Sequence, residues 1–331
     1  VKLLVTGGAG FIGRNFIHYM MARYPEKSIV NVDKLTYAGS GDPFVGVDNP
    51  NYTFVNADVC DREAIEALVA SHQIEAIVHF AAETHVDRSI MTPNIFVKTN
   101  IEGTQVLLDV AKAYGVQRYV QVSTDEVYGT LGETGIFTED TPLAPNSPYA
   151  ASKASADLLV RAYYETYGLN ASITRCGNNY GPYQFPEKLI PLMIVHALTG
   201  RSLPIYGDGA YVRDWIHVED HCAAIDLVLH EGKKGEVYNI GGHEERTNND
   251  IVKQIVNALR VSPSLIRYVG DRPGHDRRYA VDATKLKSTL GWRPKYTFEE
   301  GLAQTMTWYQ THRDWWERLH VEEVGPSCDW Q

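Results

Sequence analysis

The stretch Ser123-Thr124-Asp125-Glu126-Val127-Tyr128-Gly129 puts a hydroxyl and two adjacent carboxyls at one point of the chain, the groups that proton-transfer chemistry uses. The preceding Arg118-Tyr119-Val120-Gln121-Val122 is a β-branched run of strand type. The acids therefore stand where a strand ends, and in an open α/β sheet ligands bind outside the carboxyl ends of the strands. Neighbours on a continuing strand face opposite ways. For Asp125 and Glu126 to reach one substrate, the backbone must leave strand geometry at about Thr124. A second pair follows in Pro148-Tyr149-Ala150-Ala151-Ser152-Lys153. This stretch opens a predicted helix to about Tyr167, on which Tyr149 and Lys153, four apart, share a face. A tyrosine hydroxyl titrates at about 10. Positive charge beside it is what makes it a base near neutral pH, and Lys153 supplies some.

The elements that position these groups start at once. Strand Leu3-Leu4-Val5 runs into Gly7-Gly8-Ala9-Gly10-Phe11-Ile12-Gly13 and a helical segment from Phe11 to Arg23. Glycines there allow a tight turn and close approach of backbone to a pyrophosphate seated on the helix N-terminus. A second strand, Ser28-Ile29-Val30-Asn31-Val32, ends in Asp33, 20 residues after Gly13, the acidic spacing of dinucleotide folds. An acid at that place bonds the adenosine ribose and repels a 2′-phosphate, which favours NAD over NADP; its oxidised nicotinamide adds to the positive charge near Tyr149. Further on, Thr53 to Asn56 leads to Asp58-Val59, suited to the adenine edge. Strand Ala76-Ile77-Val78-His79-Phe80 ends in Ala81-Ala82, small enough for a cofactor to lie on the backbone, and a long helix is predicted from about Asn94 to Tyr114. Strands that read as apolar runs alternate with helices. The fold class is α/β, a Rossmann-like doubly wound parallel sheet covered on both faces.

A net charge of −10 argues against general affinity for nucleic acid or an anionic membrane. The 331 residues suffice for two domains, or one large domain with an appendage. Cys60, Cys176, Cys222 and Cys328 are scattered without metal spacing, which fits free thiols in a reducing compartment. With no apolar run long enough to span a bilayer, the expectation is a soluble, cytoplasmic protein with a small-molecule partner.

Through Thr6-Gly7-Gly8-Ala9-Gly10-Phe11-Ile12-Gly13 and Tyr149-Ala150-Ala151-Ser152-Lys153 the chain resembles the extended short-chain dehydrogenase/reductase family, many of whose members act on nucleotide sugars. The narrower resemblance is to its sugar-nucleotide 4,6-dehydratases. It rests on Asn31 to Gly39, Ala81 to Ser89, Ser123 to Gly129, Asn178 to Tyr183, Phe185 to Pro191, Arg213-Asp214-Trp215 and Asp271 to Tyr279, and so spans nearly the whole chain. Epimerases and simple reductases of the family usually lack the Asp-Glu pair after the threonine. Departures are few: Arg14 where serine is usual, Thr84 where serine is usual, and Ser40-Gly41-Asp42-Pro43 in place of an Asn-initiated stretch.

The resemblance implies dTDP-glucose as substrate, although the residues themselves leave dTDP and UDP open. It implies tightly bound NAD, recycled within a turnover and held by Gly7, Gly10, Phe11, Ile12, Gly13, Asp33, Lys34, Leu35, Thr36, Asp58, Val59, Phe80, Ala81, Ala82, Thr99, Tyr149, Lys153 and Asn179. Oxidation at C4 of the sugar makes the C5 proton acidic and the C6 hydroxyl a leaving group. In that scheme Tyr149, with Lys153, takes the C4 hydroxyl proton, Thr124 bonds the C4 oxygen, Glu126 is the base at C5 and Asp125 the acid at the C6 oxygen. Like-charged neighbours in a closed site raise one pKa, so that one carboxyl keeps its proton.

After strand Ala171 to Arg175 the alternation breaks at Asn178-Asn179, where a smaller C-terminal substrate-binding lobe is expected. The expected division is 1–177 and 214–242 for the dinucleotide-binding part, and 178–213 and 243–331 for the nucleotide-sugar lobe. By resemblance Thr84, Asn178, Lys188, Leu189, Pro204, Ile205, Tyr206, Arg213, Asn248, Asp271, Arg272, Pro273, Gly274 and His275 hold the substrate, with Arg213, Arg272 and His275 as a charged clamp for its pyrophosphate. His217 and His221 are read as surface histidines, since no third metal ligand is apparent. Trp308, Tyr309, Trp315 and Trp316 read as packing for a C-terminal helix. A homodimer through Thr104 to Tyr114 and Ser152 to Tyr167 is implied by resemblance only. The competing readings are a nucleotide-sugar 4-epimerase, which needs no acid–base pair, and a non-catalytic dinucleotide sensor, which needs neither that pair nor Tyr149 and Lys153.

Overall fold

The computed structural model describes residues 1–37 and 46–319; Ser40 to Pro43, Cys328 and the rest of the tail after Leu319 lie outside them. In chain order, β1 (Lys2–Thr6), α1 (Phe11–Arg23), β2 (Ser28–Asp33), β3 (Tyr52–Asn56), α2 (Arg62–His72) and β4 (Ala76–His79) form the first half of the winding. Then come α3 (Val86–Met91), α4 (Pro93–Phe96), α5 (Gly103–Ala113), β5 (Arg118–Thr124), α6 (Pro148–Tyr167) and β6 (Ala171–Cys176). The helix expected from Asn94 to Tyr114 is interrupted: Val97–Glu102 is wound as a π-helix between α4 and α5. The looser turn accompanies a side-chain role for Asn100, which is buried and bonds both the N–H (2.9 Å) and the carbonyl (3.0 Å) of Glu83.

One parallel sheet runs in the order β10-β6-β5-β4-β1-β2-β3, with β10 spanning Val237–Ile240. The winding reverses between β1 and β4, which opens a crevice at their carboxyl ends. Alternation along β1 shows why each strand reads as an apolar run: Leu3 and Val5 pack with Phe16, Ile17 and Ile225 on one face, Leu4 with Ile65, Leu107 and Val160 on the other. Burying one such aliphatic side chain contributes roughly 2 kcal/mol.

The remaining elements build two small sheets. A three-stranded one joins β7 (Asn178–Tyr180), β9 (Val212–His217) and β11 (Glu245–Thr247), and a two-stranded one pairs β8 (Leu203–Tyr206) with β12 (Ile266–Val269). Helices α7 (Leu189–Leu198), α9 (Asn248–Leu259) and α10 (Phe298–Thr311) cover a third core that holds Tyr309 and Trp316, with Trp308 and Trp315 packed against it. The expected division at 213/214 falls inside β9, and the chain returns to the large sheet only with α8 (Val218–Glu231) and β10.

Neither His217 nor His221 lies at the surface, contrary to the expectation from sequence. His221 is fully buried and His217 2% exposed. His221 shares the stripe of α8 that carries the buried Val218, Cys222 and Ile225, a helical spacing that sends it inward. His217 is the N-cap of α8, accepting from the Glu219 N–H at 3.3 Å. Among the described residues, no group of three or more His, Cys, Asp or Glu side chains is placed to hold a metal, and no helix is long and apolar enough to cross a membrane.

Candidate active site

A cavity of about 420 Å³ runs from the glycine turn along the strand ends to the small sheets, within the size range of small-molecule sites. At its centre β5 stops at Thr124 and the chain turns into a 3-10 helix, Asp125–Tyr128. The Thr124 hydroxyl caps that helix, accepting from the Glu126 N–H at 3.2 Å, so the residue that ends the strand also starts the turn. The turn divides the two acids. Glu126 lines the cavity, whereas Asp125 is 1% exposed, lies behind the wall and has an Oδ2 with no hydrogen-bond partner. Burial pushes both pKa values up. For Asp125 the neighbouring Glu126 and Asp214 push further, while for Glu126 the cations Arg272, Lys188 and Arg213 oppose.

Opposite stands α6, with Ser147 as N-cap bonded to the Ala150 N–H at 3.1 Å, Pro148 at its first position and the left-handed Gly168 at its end. Tyr149 lines the same cavity as Thr124; burial first, and then the charge of Glu126, push its pKa well up, and the Thr124 hydroxyl opposes. Lys153 is buried and donates to the Val122 carbonyl at 2.8 Å; burial lowers its pKa and Asp157 opposes. Beside them Asn179 donates to Cys176 Sγ, and its Oδ1 lies 2.9 Å from His221 Nδ1.

The glycine turn fits a dinucleotide. A Cβ on Gly7, whose φ is +72°, would lie 2.6 Å from the Ala81 nitrogen, and one on Gly13 would lie 2.4 Å from the Gly7 carbonyl. Gly10 caps α1 without any side-chain hydrogen bond, which leaves the helix N–H groups to a ligand. Gly7, Gly10, Phe11, Ile12, Gly13, Asp33, Lys34, Thr36, Val59, Phe80, Ala81, Ala82 and Thr99 all line the cavity. Leu35 and Asp58 do not: Leu35 gives its N–H to Asp33 at 2.8 Å, and Asp58 pairs with Lys34 at 3.5 Å. Asp33 also accepts from the Ala9 N–H at 3.0 Å, so it braces the glycine turn as well as facing the cavity.

At the other end Thr84, Asn178, Lys188, Leu189, Pro204, Tyr206, Arg213, Asn248, Arg272 and His275 line the wall. Ile205 faces the third core, because alternation along β8 sends it inward with Leu203. Asp271, Pro273 and Gly274 also stand off the wall, and Asp271 accepts from His275 Nδ1 at 2.7 Å. The charged clamp is smaller than expected. Burial first, then Arg272, holds the His275 pKa down to about 3, so at neutral pH it offers hydrogen bonds and a ring stacked 3.8 Å from Tyr211, without a charge. Five further residues, Glu83, His85, Asp87, Glu187 and Tyr279, line the wall with no role expected from sequence. The signal was there: all five lie in the stretches that carry the resemblance.

A glycine turn on a parallel sheet, with a Tyr149–Lys153 helix facing a Thr124 strand end, defines an extended short-chain dehydrogenase/reductase. The chain belongs to the GDP-mannose 4,6 dehydratase family, whose sequence profile matches residues 4–305. It is 50% identical to the dTDP-glucose 4,6-dehydratase of Streptomyces antibioticus over 335 residues, 99% of this chain and 98% of that one. A crystal structure of the dTDP-glucose 4,6-dehydratase from Streptomyces venezuelae, with NAD and TYD bound, is 51% identical and superimposes with a TM-score of 0.93 over 96% of this chain and 100% of that one. The UDP-glucose 4-epimerase of Thermotoga maritima is more distant, at 32% identity and a TM-score of 0.87 over 94% of this chain and 99% of that one.

Proposed function

We propose that the protein is a hydro-lyase that converts dTDP-glucose to dTDP-4-keto-6-deoxyglucose, the activity for which its half-identical relatives are named. The observation that carries this reading over an epimerase is the Asp125–Glu126 pair at the strand end beside Tyr149, Asp125 buried and Glu126 half-buried on the cavity wall, with both carboxyls shifted toward the protonated form. NAD, when bound, supplies the acceptor for hydride from C4 and its donor to C6. The chain's own groups do the rest. Gly7, Gly10 and Gly13 give the pyrophosphate its room, and Asp33 selects the unsubstituted ribose. Tyr149 takes the C4 hydroxyl proton while Thr124 bonds the same oxygen, and Lys153 holds the helix of Tyr149 against the strand. Glu126 removes the C5 proton and, once protonated, returns a proton to C5 as hydride reaches C6. Asp125, whose carboxyl burial pushes toward the protonated form, delivers a proton to the departing C6 oxygen by a change of side-chain rotamer.

The two-part division stated from sequence, with its lobe boundary moved to the end of β9, belongs to the same proposal, as does tight retention of NAD. So does a homodimer through α5 and α6, which leave Leu158 (56%), Tyr167 (54%) and the adjoining Tyr114 (46%) exposed. The decisive experiment uses dTDP-[4-²H]glucose without added cofactor. The product should have lost one water and carry the deuterium on its new methyl group. Deuterium released to solvent, or no loss of water, sinks the reading.

A further inference from the structure

Asp87 is none of the reacting groups, yet it spans the cavity. It lies in α3 beside the large sheet, is 3% exposed, and spends both oxygens on the opposite wall. Its Oδ1 accepts from Arg272 Nη1 at 3.0 Å and its Oδ2 from the Tyr206 hydroxyl at 2.6 Å. Those two partners are neighbours by register: β8 and β12 pair in parallel with Val269 opposite Tyr206, so the loop leaving β12 carries Arg272 past the end of β8. The alternation that buries Ile205 turns Tyr206 toward the cavity. On its other side the Tyr206 ring meets the edge of His275, 6.1 Å between centroids. Arg272 itself lines the cavity with a buried Nε that has no hydrogen-bond partner. Asp87 takes Nη1 alone, so the cavity-facing part of the guanidinium stays available to a ligand.

An arginine that must be ordered by its ligand loses side-chain freedom on binding, and one already held loses little. Its planar fork matches a phosphoryl group only when correctly oriented. We propose that Asp87 is a positioning residue for the nucleotide diphosphate, fixing Arg272 for a phosphoryl oxygen and Tyr206 as a wall for the nucleoside before the ligand arrives. The assignment rests on the dTDP-sugar reading above. Asp87 also draws field away from Arg272, so removing it has two effects of opposite sign on affinity, and the assignment is that the loss of positioning is the larger.

The test is calorimetric titration of dTDP into the NAD-loaded enzyme for wild type, D87N, R272A, D87N/R272A and Y206F. D87N should weaken dTDP about tenfold, and the double variant should lose less than the sum of the two single losses, because Asp87 acts largely through Arg272. Y206F, which removes one hydroxyl and keeps the ring, should weaken dTDP roughly threefold and keeps the test open if D87N does not fold. D87N or, where it does not fold, Y206F binding as tightly as wild type overturns the assignment, as do strictly additive losses. If the wild type itself fails to bind dTDP, the substrate reading falls, which is a separate result.

Discussion

Lys153 donates to the Val122 carbonyl at 2.8 Å and so fastens the helix of Tyr149 to the strand that delivers Thr124, Asp125 and Glu126. Both partners are buried. Placement of Tyr149 against Thr124 therefore depends on an ammonium that burial already disfavours. Lys153→Met keeps the volume and removes the donor. It should cost about 2 kcal/mol of stability in urea denaturation and slow turnover by at least ~100-fold. A variant that turns over at the wild-type rate would show that Lys153 does not hold the tyrosine in place.

Glu126→Gln separates elimination from oxidation. The amide cannot accept the C5 proton, so loss of water should slow by about 10²- to 10⁴-fold, whereas Tyr149, Thr124 and the glycine turn are untouched. Reduced cofactor should build up on addition of substrate, and the C5 hydrogen should stop exchanging with deuterated solvent. Protonation of the Glu126 carboxyl sets the acid limb of the rate profile. As the proposed base Glu126 must be deprotonated, and burial raises its pKa, so the rate should rise with pH through a value above the ordinary glutamate range. An acid limb at or below that range contradicts the base assignment.

The large sheet and the meeting of Thr124, Glu126, Tyr149 and Lys153 at one cavity are legible in sequence because both follow from local patterns. The glycine turn, Asp33 and the Tyr149/Lys153 spacing each lie within a few turns of chain, and the strand end at Thr124 follows from a requirement on two adjacent side chains. What was not legible depends on contacts between distant segments. His221 was misread because a histidine looks polar until α8 is seen to carry it on the same stripe as Val218 and Ile225. Ile205 was placed on the cavity wall because resemblance names a segment, whereas strand alternation decides which of its side chains face the cavity. Asp87 stayed unassigned because its partners, Tyr206 and Arg272, lie 119 and 185 residues away.

Asp214 should leave a signature in stability against pH. Its carboxyl is 1% exposed, accepts from the Glu244 N–H at 3.0 Å and the Val281 N–H at 3.3 Å, and is pushed up to about 6, chiefly by burial. An unfolded aspartate titrates at about 3.9. Between these values the folded chain binds the extra proton, so this group favours folding below about pH 4 and loses that contribution as pH rises through 6. The loss is on the order of 3 kcal/mol. Urea denaturation of wild type and Asp214→Asn should give a stability difference that changes across pH 4 to 6 and is flat above; parallel curves would mean that Asp214 titrates normally.

The glycine turn makes a prediction with its own control. At Gly13 a Cβ would meet backbone on both near sides, 2.4 Å from the Gly7 carbonyl and 2.9 Å from the Gly8 Cα. Backbone cannot rotate away as a side chain can, so Gly13→Ala must push the turn off the start of α1. Overpacking of this kind costs roughly 1–3 kcal/mol, and the displaced turn is the one proposed to carry the pyrophosphate. At Gly132 a Cβ meets nothing within 4 Å, so Gly132→Ala serves as the neutral comparison. NAD released from each purified protein by denaturation should be near one per chain in wild type and Gly132→Ala, and at least about tenfold lower in Gly13→Ala. Equal NAD content in all three would place the dinucleotide elsewhere than on this turn.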